Sequence, residues 1–504
     1  MAPKRFNWRQ LLTAEPVVFF YAYGLFMHLP VIQQYIYFRI AKNKGFPYDT
    51  TASNSCGNET ALNATMKGLE KQVQSLSSYI HLGVVLFSSL PSLFTSLFIG
   101  SWTDSRGRKP ALLLPAIGSS IEAGLTILVM YLELPVYVLF VGGAINGLCG
   151  YFTTLIMGLM AYIADTTDES DRPLRLAIME LLTFLGGMVS QLTSGVWIEN
   201  HGFITPYWFI LACLLFSVLY TVFFLPESRP PSDVTEKTSL GSCQSIKRIL
   251  AVYKAPREGG RFNLILLTLS SAFSQIATQG STGIVTLFVL HTPLCFSPEF
   301  VGYIAALRSL CIGIGAILGI KLLGIWLTEL SISRIGIVSS IGGLVTFGLS
   351  KTTFLVFTAP VVGLFGGCVV PIFRAMMSRI VSKDEQGALF SAVASFETLC
   401  NFIGAFIFNS LYPASLKFDF PGFVFFVGAI ICLLPFCFTC CLKNPMVLLS
   451  KKDRVQVVGN YDVIPDDNLN DPVKSLDSCN TEGTTIVSPE SKGSVSRYNT
   501  EPQA

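Results

Sequence analysis

Twelve apolar runs dominate this chain of 504 residues, most of them near the roughly 20 residues that a helix needs to cross a hydrocarbon core of about 30 Å. They fall near 16–37, 79–103, 110–132, 135–163, 175–198 and 206–225, and then near 262–290, 300–325, 335–350, 353–380, 386–411 and 420–441. Lipid offers no partner to free backbone N–H and C=O groups, so each run must be helical and the fold class is all-α, a polytopic membrane bundle. Composition agrees, with 51% of residues apolar and 13% charged, which excludes an ordinary soluble domain. The first run lacks the small-residue cleavage site that marks a signal peptide.

Lys and Arg in the short connections orient the bundle. Lys4, Arg5 and Arg9 precede the first run, Arg106, Arg108 and Lys109 follow the second, Arg172 and Arg175 follow the fourth, and seven cations from Arg229 to Arg261 follow the sixth. All of these lie on one side, which places both termini in the cytosol. The chain then divides into a cytosolic N-terminus 1–15, a six-helix half 16–225, a cytosolic linker 226–261, a second half 262–441, and a polar tail 442–504 expected to be disordered. The opposite face carries one large loop, 38–76, with glycosylation acceptors at Asn58 and Asn63. Cys56 lies in the same loop, and Cys295 lies in "HTPLCFSPEF" on the same side. An oxidising compartment permits a disulfide between them, two free thiols being the alternative. In the tail, "YDVI" from Tyr461 to Ile464 reads as a sorting signal that favours endolysosomes over the plasma membrane and implies an adaptor as partner.

One connection is unusually rich in charge and glycine. "GSWTDSRGRK" resembles the cytosolic loop between the second and third helices of the major facilitator superfamily, with Gly100, Asp104, Gly107, Arg108 and Lys109 filling every position of its pattern. Such a cluster suits a conformational latch between the halves, made in one state and broken in the other. "FFLPES", Phe223 to Ser228, is similar to the companion motif that ends the sixth helix. "EPVVF", "TPLC", "GALFSAVA" and "FNSLYPA" further resemble the proton-coupled folate transporter family, solute carrier family 46. That resemblance implies two pseudo-symmetric six-helix halves around a central cavity, no cofactor other than protons, and uptake of small organic anions. It also implies that the family's disulfide between its first and fourth outer loops maps onto Cys56 and Cys295.

An ionisable side chain in lipid costs about 2.5 to 3.5 kcal/mol on the mildest scale, so each one marks a candidate site. Glu180, in "LAIMELLTFLGG", occupies the position of the family acid that takes part in proton coupling; a permanent structural ion pair is the alternative. Arg374, in "PIFRAMMSR", matches a cavity arginine that faces the anionic substrate, against the alternative of reaching out to the cytosolic surface. Arg308 and Glu397 are further candidates for substrate binding or for an internal pair. Glu122 is expected to be a structural acid on a peripheral helix. His28, taken as the only histidine deep in the membrane, is either a second proton site or a packing residue.

Two positions depart from the folate pattern. Tyr151 replaces an acid and Thr278 replaces a histidine, and both bear on substrate binding and protonation. The "FETL" stretch around Glu397 resembles the lysosomal member of the family instead. Steroid conjugates and bile acids therefore rank first as cargo, folates second, and a sensor without transport third. No metal-ligand cluster, phosphate-cradling loop or nucleophile with its base is legible, so neither a metal site nor an enzyme is expected, and no nucleic-acid face appears.

Overall fold

The computed structural model describes residues 13–48, 64–167, 172–228, 251–255, 260–381 and 386–442, all within one compact unit, Met1–Leu449. Cys56, Asn58, Asn63, Tyr461 and Ile464 lie outside the described residues, as do the surroundings of Gly100 and the side chain of Asp104. All regular structure among the described residues is helical.

The first half comprises α1 (Glu15–Lys44), α2 (Ala64–Arg106) and α3 (Lys109–Tyr131). A fourth crossing follows, built from a 3-10 turn (Val136–Val138), α4 (Leu139–Leu148) and α5 (Tyr151–Thr166), and then α6 (Arg172–His201) and α7 (Ile204–Phe223). The second half repeats the plan with α8 (Gly260–Leu290), α9 (Pro298–Lys321) and α10 (Glu329–Leu349). Its tenth crossing joins α11 (Thr353–Val362), a 3-10 turn (Leu364–Cys368) and α12 (Val369–Ile380), before α13 (Gln386–Lys417) and α14 (Phe423–Cys440). The fourth crossing in each half is thus interrupted. In the first, Gly150 at φ 97° and Tyr151 at φ 54° turn the chain through the left-handed region. In the second, Pro360 and Gly363 end α11 before the 3-10 turn.

One expectation needs correction. The outer loop does not run from 38 to 76, because α1 extends to Lys44 and α2 begins at Ala64. Hydropathy misplaces that start since Glu70, Gln74, Ser77 and Ser78, in the first turns of α2, are buried by protein. Among the described residues eleven helices are long and apolar enough to cross a membrane, and α8 is the remaining crossing, the one whose composition falls short of that measure. Its Asn263, Thr268, Ser270, Ser271, Ser274 and Ser281 are buried, and the helix packs against α12, α13 and α14, so protein satisfies these polar groups.

The halves meet along two long seams, α6 against α9 and α2 against α13. We call the end that carries Arg108 and Lys109 the inner end. At the outer end of the first seam, a Cβ on Gly195 would come within 2.7 Å of Glu299, and one on Gly302 within 2.7 Å of the Gln191 carbonyl. Only glycines allow the two backbones to approach this closely.

Candidate functional site: a cleft between the halves

Polar contacts across the seams cluster at the outer end. Glu70 of α2 lies 2.7 Å from His291, just beyond α8, and accepts from the Thr292 amide at 3.0 Å. Lys71 pairs with Asp419, Ser78 donates to the Asn409 carbonyl at 2.8 Å, and Tyr412 donates to Gln74 at 3.3 Å. Midway along, Ser309 donates to Gln191 at 2.7 Å and Thr398 donates to Thr153 at 3.1 Å. Among the described residues the outer end of both seams is therefore closed, while Glu180 and Phe396 stand exposed nearer the inner end.

Helical periodicity fixes where Glu180 points. It shares a face of α6 with Phe184 and Gln191; Phe184 lies against Gly313 of α9, and Gln191 bonds Ser309. Glu180 thus faces the cleft, away from the lipid-facing Leu181, Leu185 and Leu192. The charge it senses is that of Arg374 in the opposite half. Arg374 in turn donates from Nε at 3.1 Å, and from Nη2 at 2.5 Å to each carboxylate oxygen, to Glu397. Arg374 and Glu397 form one half-buried unit, with Glu180 across the gap.

Arg308 stands on the same side of the cleft. Its Nη2 donates to Thr282 at 2.8 Å, and its guanidinium lies 5.8 Å from the Phe347 ring centroid. Among the described residues no carboxylate pairs with it. Thr282 and Gln279, exposed polar residues of α8, stand on the side of the helix that Arg308 reaches. Thr278, one turn away, spends its hydroxyl on the Ser274 carbonyl at 2.9 Å. Tyr151 packs against the first half's core beside the break in the fourth crossing.

His28 points away from the second half. Its Nδ1 lies 3.0 Å from the Tyr207 hydroxyl and its Nε2 lies 3.9 Å from Glu122. Glu122 accepts from Asn146 at 2.6 Å, and Asn146 accepts from Ser119 at 3.1 Å, which matches the structural role expected of this acid. His28 is not the only deep histidine. His81 is buried in α2 and faces Gly283 of α8, a consequence of the early start of that helix. Glu70, Gln74, Ser77, Ser78 and His81 recur at helical spacing, a polar stripe that a loop assignment of 38–76 passes over.

The glycine-rich turn is held within its own half. Gly107 adopts φ 103°, and a Cβ there would meet the Glu227 carboxyl at 2.6 Å. Glu227, from "FFLPES", accepts from the amides of Arg108 at 2.6 Å and Lys109 at 3.2 Å, while Arg108 pairs with Asp165 at 2.9 Å. On the outer face Cys295 is disulfide-bonded. The nine other described cysteines are free, so its partner lies outside the described residues.

A bundle of two six-crossing halves with a charged cleft between them defines a membrane transporter. The chain matches the Major Facilitator Superfamily model over residues 16–291 and belongs to that superfamily. It is 33% identical to the proton-coupled folate transporter of Rattus norvegicus over 84% of this chain and 90% of that protein. It is 32% identical to the lysosomal proton-coupled steroid conjugate and bile acid symporter of Gallus gallus, over 86% of this chain and 94% of that one. Within the superfamily it is therefore a member of the proton-coupled folate transporter family, solute carrier family 46. The fold is shared with the crystal structure of the human organic anion transporter MFSD10, at TM-score 0.59 and 16% identity, covering 87% of this chain and 100% of that chain. It is shared likewise with the inward-open xylose transporter XylE from E. coli, at TM-score 0.57 and 13% identity, covering 86% and 96%.

Proposed function

We propose that the protein is a symporter that carries one organic anion with a proton toward the cytosol by alternating access. The charge balance of the cleft carries this reading. Two guanidiniums, Arg308 and Arg374, face two carboxylates, Glu180 and Glu397, and the four charges cancel. A proton on Glu180 leaves one net positive charge, which matches one monoanion. Glu397 stays bound to Arg374, so Glu180, exposed across the gap, is the carboxylate free to change its protonation. Arginine's planar fork suits a carboxylate or sulfate.

Steroid conjugates and bile acids rank ahead of folates as cargo. The likeness to the Gallus gallus symporter supports the first, and the likeness to the Rattus norvegicus transporter supports the second. Tyr151 and Thr278, which remove an acid and a histidine from the folate pattern, favour the first. His28 is assigned as an auxiliary proton site through Glu122. Cys56 is assigned as the disulfide partner of Cys295, Asn58 and Asn63 as glycosylated, and Tyr461 and Ile464 as an endolysosomal sorting signal, with both termini cytosolic and the plasma membrane as the alternative location. The latch reading of Gly100, Asp104, Gly107, Arg108 and Lys109 stands for the outward-facing state.

Reconstituted vesicles test the proposal. Uptake of a labelled sulfated steroid or bile acid should rise when the outside is acidified, and Glu180→Gln should remove that response. Uptake indifferent to the gradient, or unchanged in the variant, overturns it. Absence of counterflow in wild type would favour the sensor instead.

A further inference from the structure

The outer seal contains a titratable pair that the cleft chemistry does not use. Glu70 is 3% exposed and His291 12% exposed, and each comes from a different half. The carboxylate accepts from the Thr292 amide at 3.0 Å and from the Thr292 hydroxyl at 3.1 and 3.0 Å. Imidazole Nδ1 stands 2.7 Å from Oε1, within ion-pair distance, although the ring is not aligned for a linear hydrogen bond. His291 also borders an outer vestibule of about 400 Å³, whose walls include Lys67, Lys71, Lys351 and Asp419. Protons therefore reach His291 from the outer side while the cleft is shut beneath it. Tyr37 and Tyr412, from α1 and α13, are the remaining titratable groups near the carboxylate among the described residues.

We infer that Glu70 and His291 form an external proton-binding site in the outer seal, separate from the cargo cleft, and that a proton bound there favours the sealed state. Separation of the halves parts the two residues, since one moves with each half. In the open state a proton on His291 gains nothing from Glu70. In the sealed state an imidazolium cancels the charge of a buried carboxylate, whereas a neutral ring leaves that charge, among the described residues, to the Thr292 donors. Imidazole changes charge between about pH 5 and 8. The direction follows by linkage: an acidic exterior holds the proton on His291 and shuts the entrance behind loaded cargo, and a neutral exterior loosens it. The inference rests on the proton-coupled reading only in taking the outer side as the acidic one. This gating proton belongs to the entrance and is distinct from the proton on Glu180.

Distance measurements on the full chain in nanodiscs test it. Spin labels at Tyr131→Cys and Phe354→Cys mark exposed outer positions in opposite halves, in a background with Cys243, Cys437, Cys440, Cys441 and Cys479 changed to Ser. Between pH 7.5 and pH 5.5 the ratio of sealed to open molecules should rise by about 5-fold to 150-fold, the ordinary range of coupling between two sites. His291→Gln and Glu70→Gln should abolish that rise, and His291→Arg should stay sealed at both values. A His291→Gln protein with the wild-type response overturns the inference, as does a His291→Arg protein that opens at pH 7.5. If Glu180→Gln, and not His291→Gln, removes the response, the proton acts from the cleft; the inference then fails while the proposed function stands. Should His291→Gln misfold, His291→Asn and the charged arginine variant still separate the outcomes.

Discussion

Arg374 of α12 grips Glu397 of α13 with both Nε and Nη2, so the cationic wall of the cleft is braced from within its own half. Removing one member of a partly desolvated pair strands the other's charge. Arg374→Ala should therefore lower initial uptake at least 10-fold, and Arg374→Lys should recover only part of it because an ammonium lacks the fork. Surface abundance measured alongside uptake separates transport from folding.

Arg308 has a hydroxyl and an aromatic ring for company but, among the described residues, no carboxylate partner. Its charge is thus available to a ligand. Arg308→Gln should raise KM for an anionic substrate about 10-fold, the loss of roughly 1.4 kcal/mol of binding. A neutral analogue, if transported, should show a much smaller change. Equal effects on both would mean that Arg308 only supports the fold.

A second ion pair has a purely structural task. Arg175 and Glu15 meet at 3.1 Å with side-chain exposures of 5% and 3%, joining α6 to α1 at the inner end. Arg175 also donates to Thr167 and Thr13, each at 2.9 Å. Glu15→Ala should cost about 3 to 5 kcal/mol, because it leaves a buried guanidinium uncompensated. Denaturation of the purified protein in detergent should show the loss, and adding Arg175→Met should recover part of it.

Lys71 holds the Asp419 carboxyl below the usual carboxylate range, chiefly by hydrogen bonding and then by its charge. A depressed acid contributes above its ordinary value and is lost as pH falls through the depressed one. Because Asp419 ordinarily titrates near 3.9, the contact survives lysosomal acidity and acts only below that range. Asp419→Asn should shift the sealed fraction by the same factor at pH 7.5 and pH 5.5. A shift confined to pH 7.5, with wild type and variant alike at pH 5.5, would assign the external proton to Asp419.

Much of this architecture was legible because lipid makes apolar length nearly synonymous with a crossing. The failures occur where protein replaces lipid as the solvent of a helix. The first turns of α2 read as loop because Glu70, Lys71, Gln72 and Gln74 are polar, yet the opposite half buries Glu70 and Gln74. The same early start hides His81 from a hydropathy reading. Glu180 and Arg374 stood out as charges in apolar surroundings, but their relation across the gap depends on helices far apart in sequence. His291 looked like an ordinary loop residue, since nothing local reveals that Glu70 waits in the other half. The glycine-rich turn gave its partners only in part: Glu227 was visible in a companion motif, whereas Asp165 was not.

The matched interruptions of the fourth and tenth crossings have a mechanical meaning. At Gly150 in one half and around Pro360 and Gly363 in the other, rod-like helices contain a joint where few backbone bonds need to break for the axis to bend. A shape change can then be shared between two knees, one in each half, leaving the long seams free to part and close without unravelling any crossing.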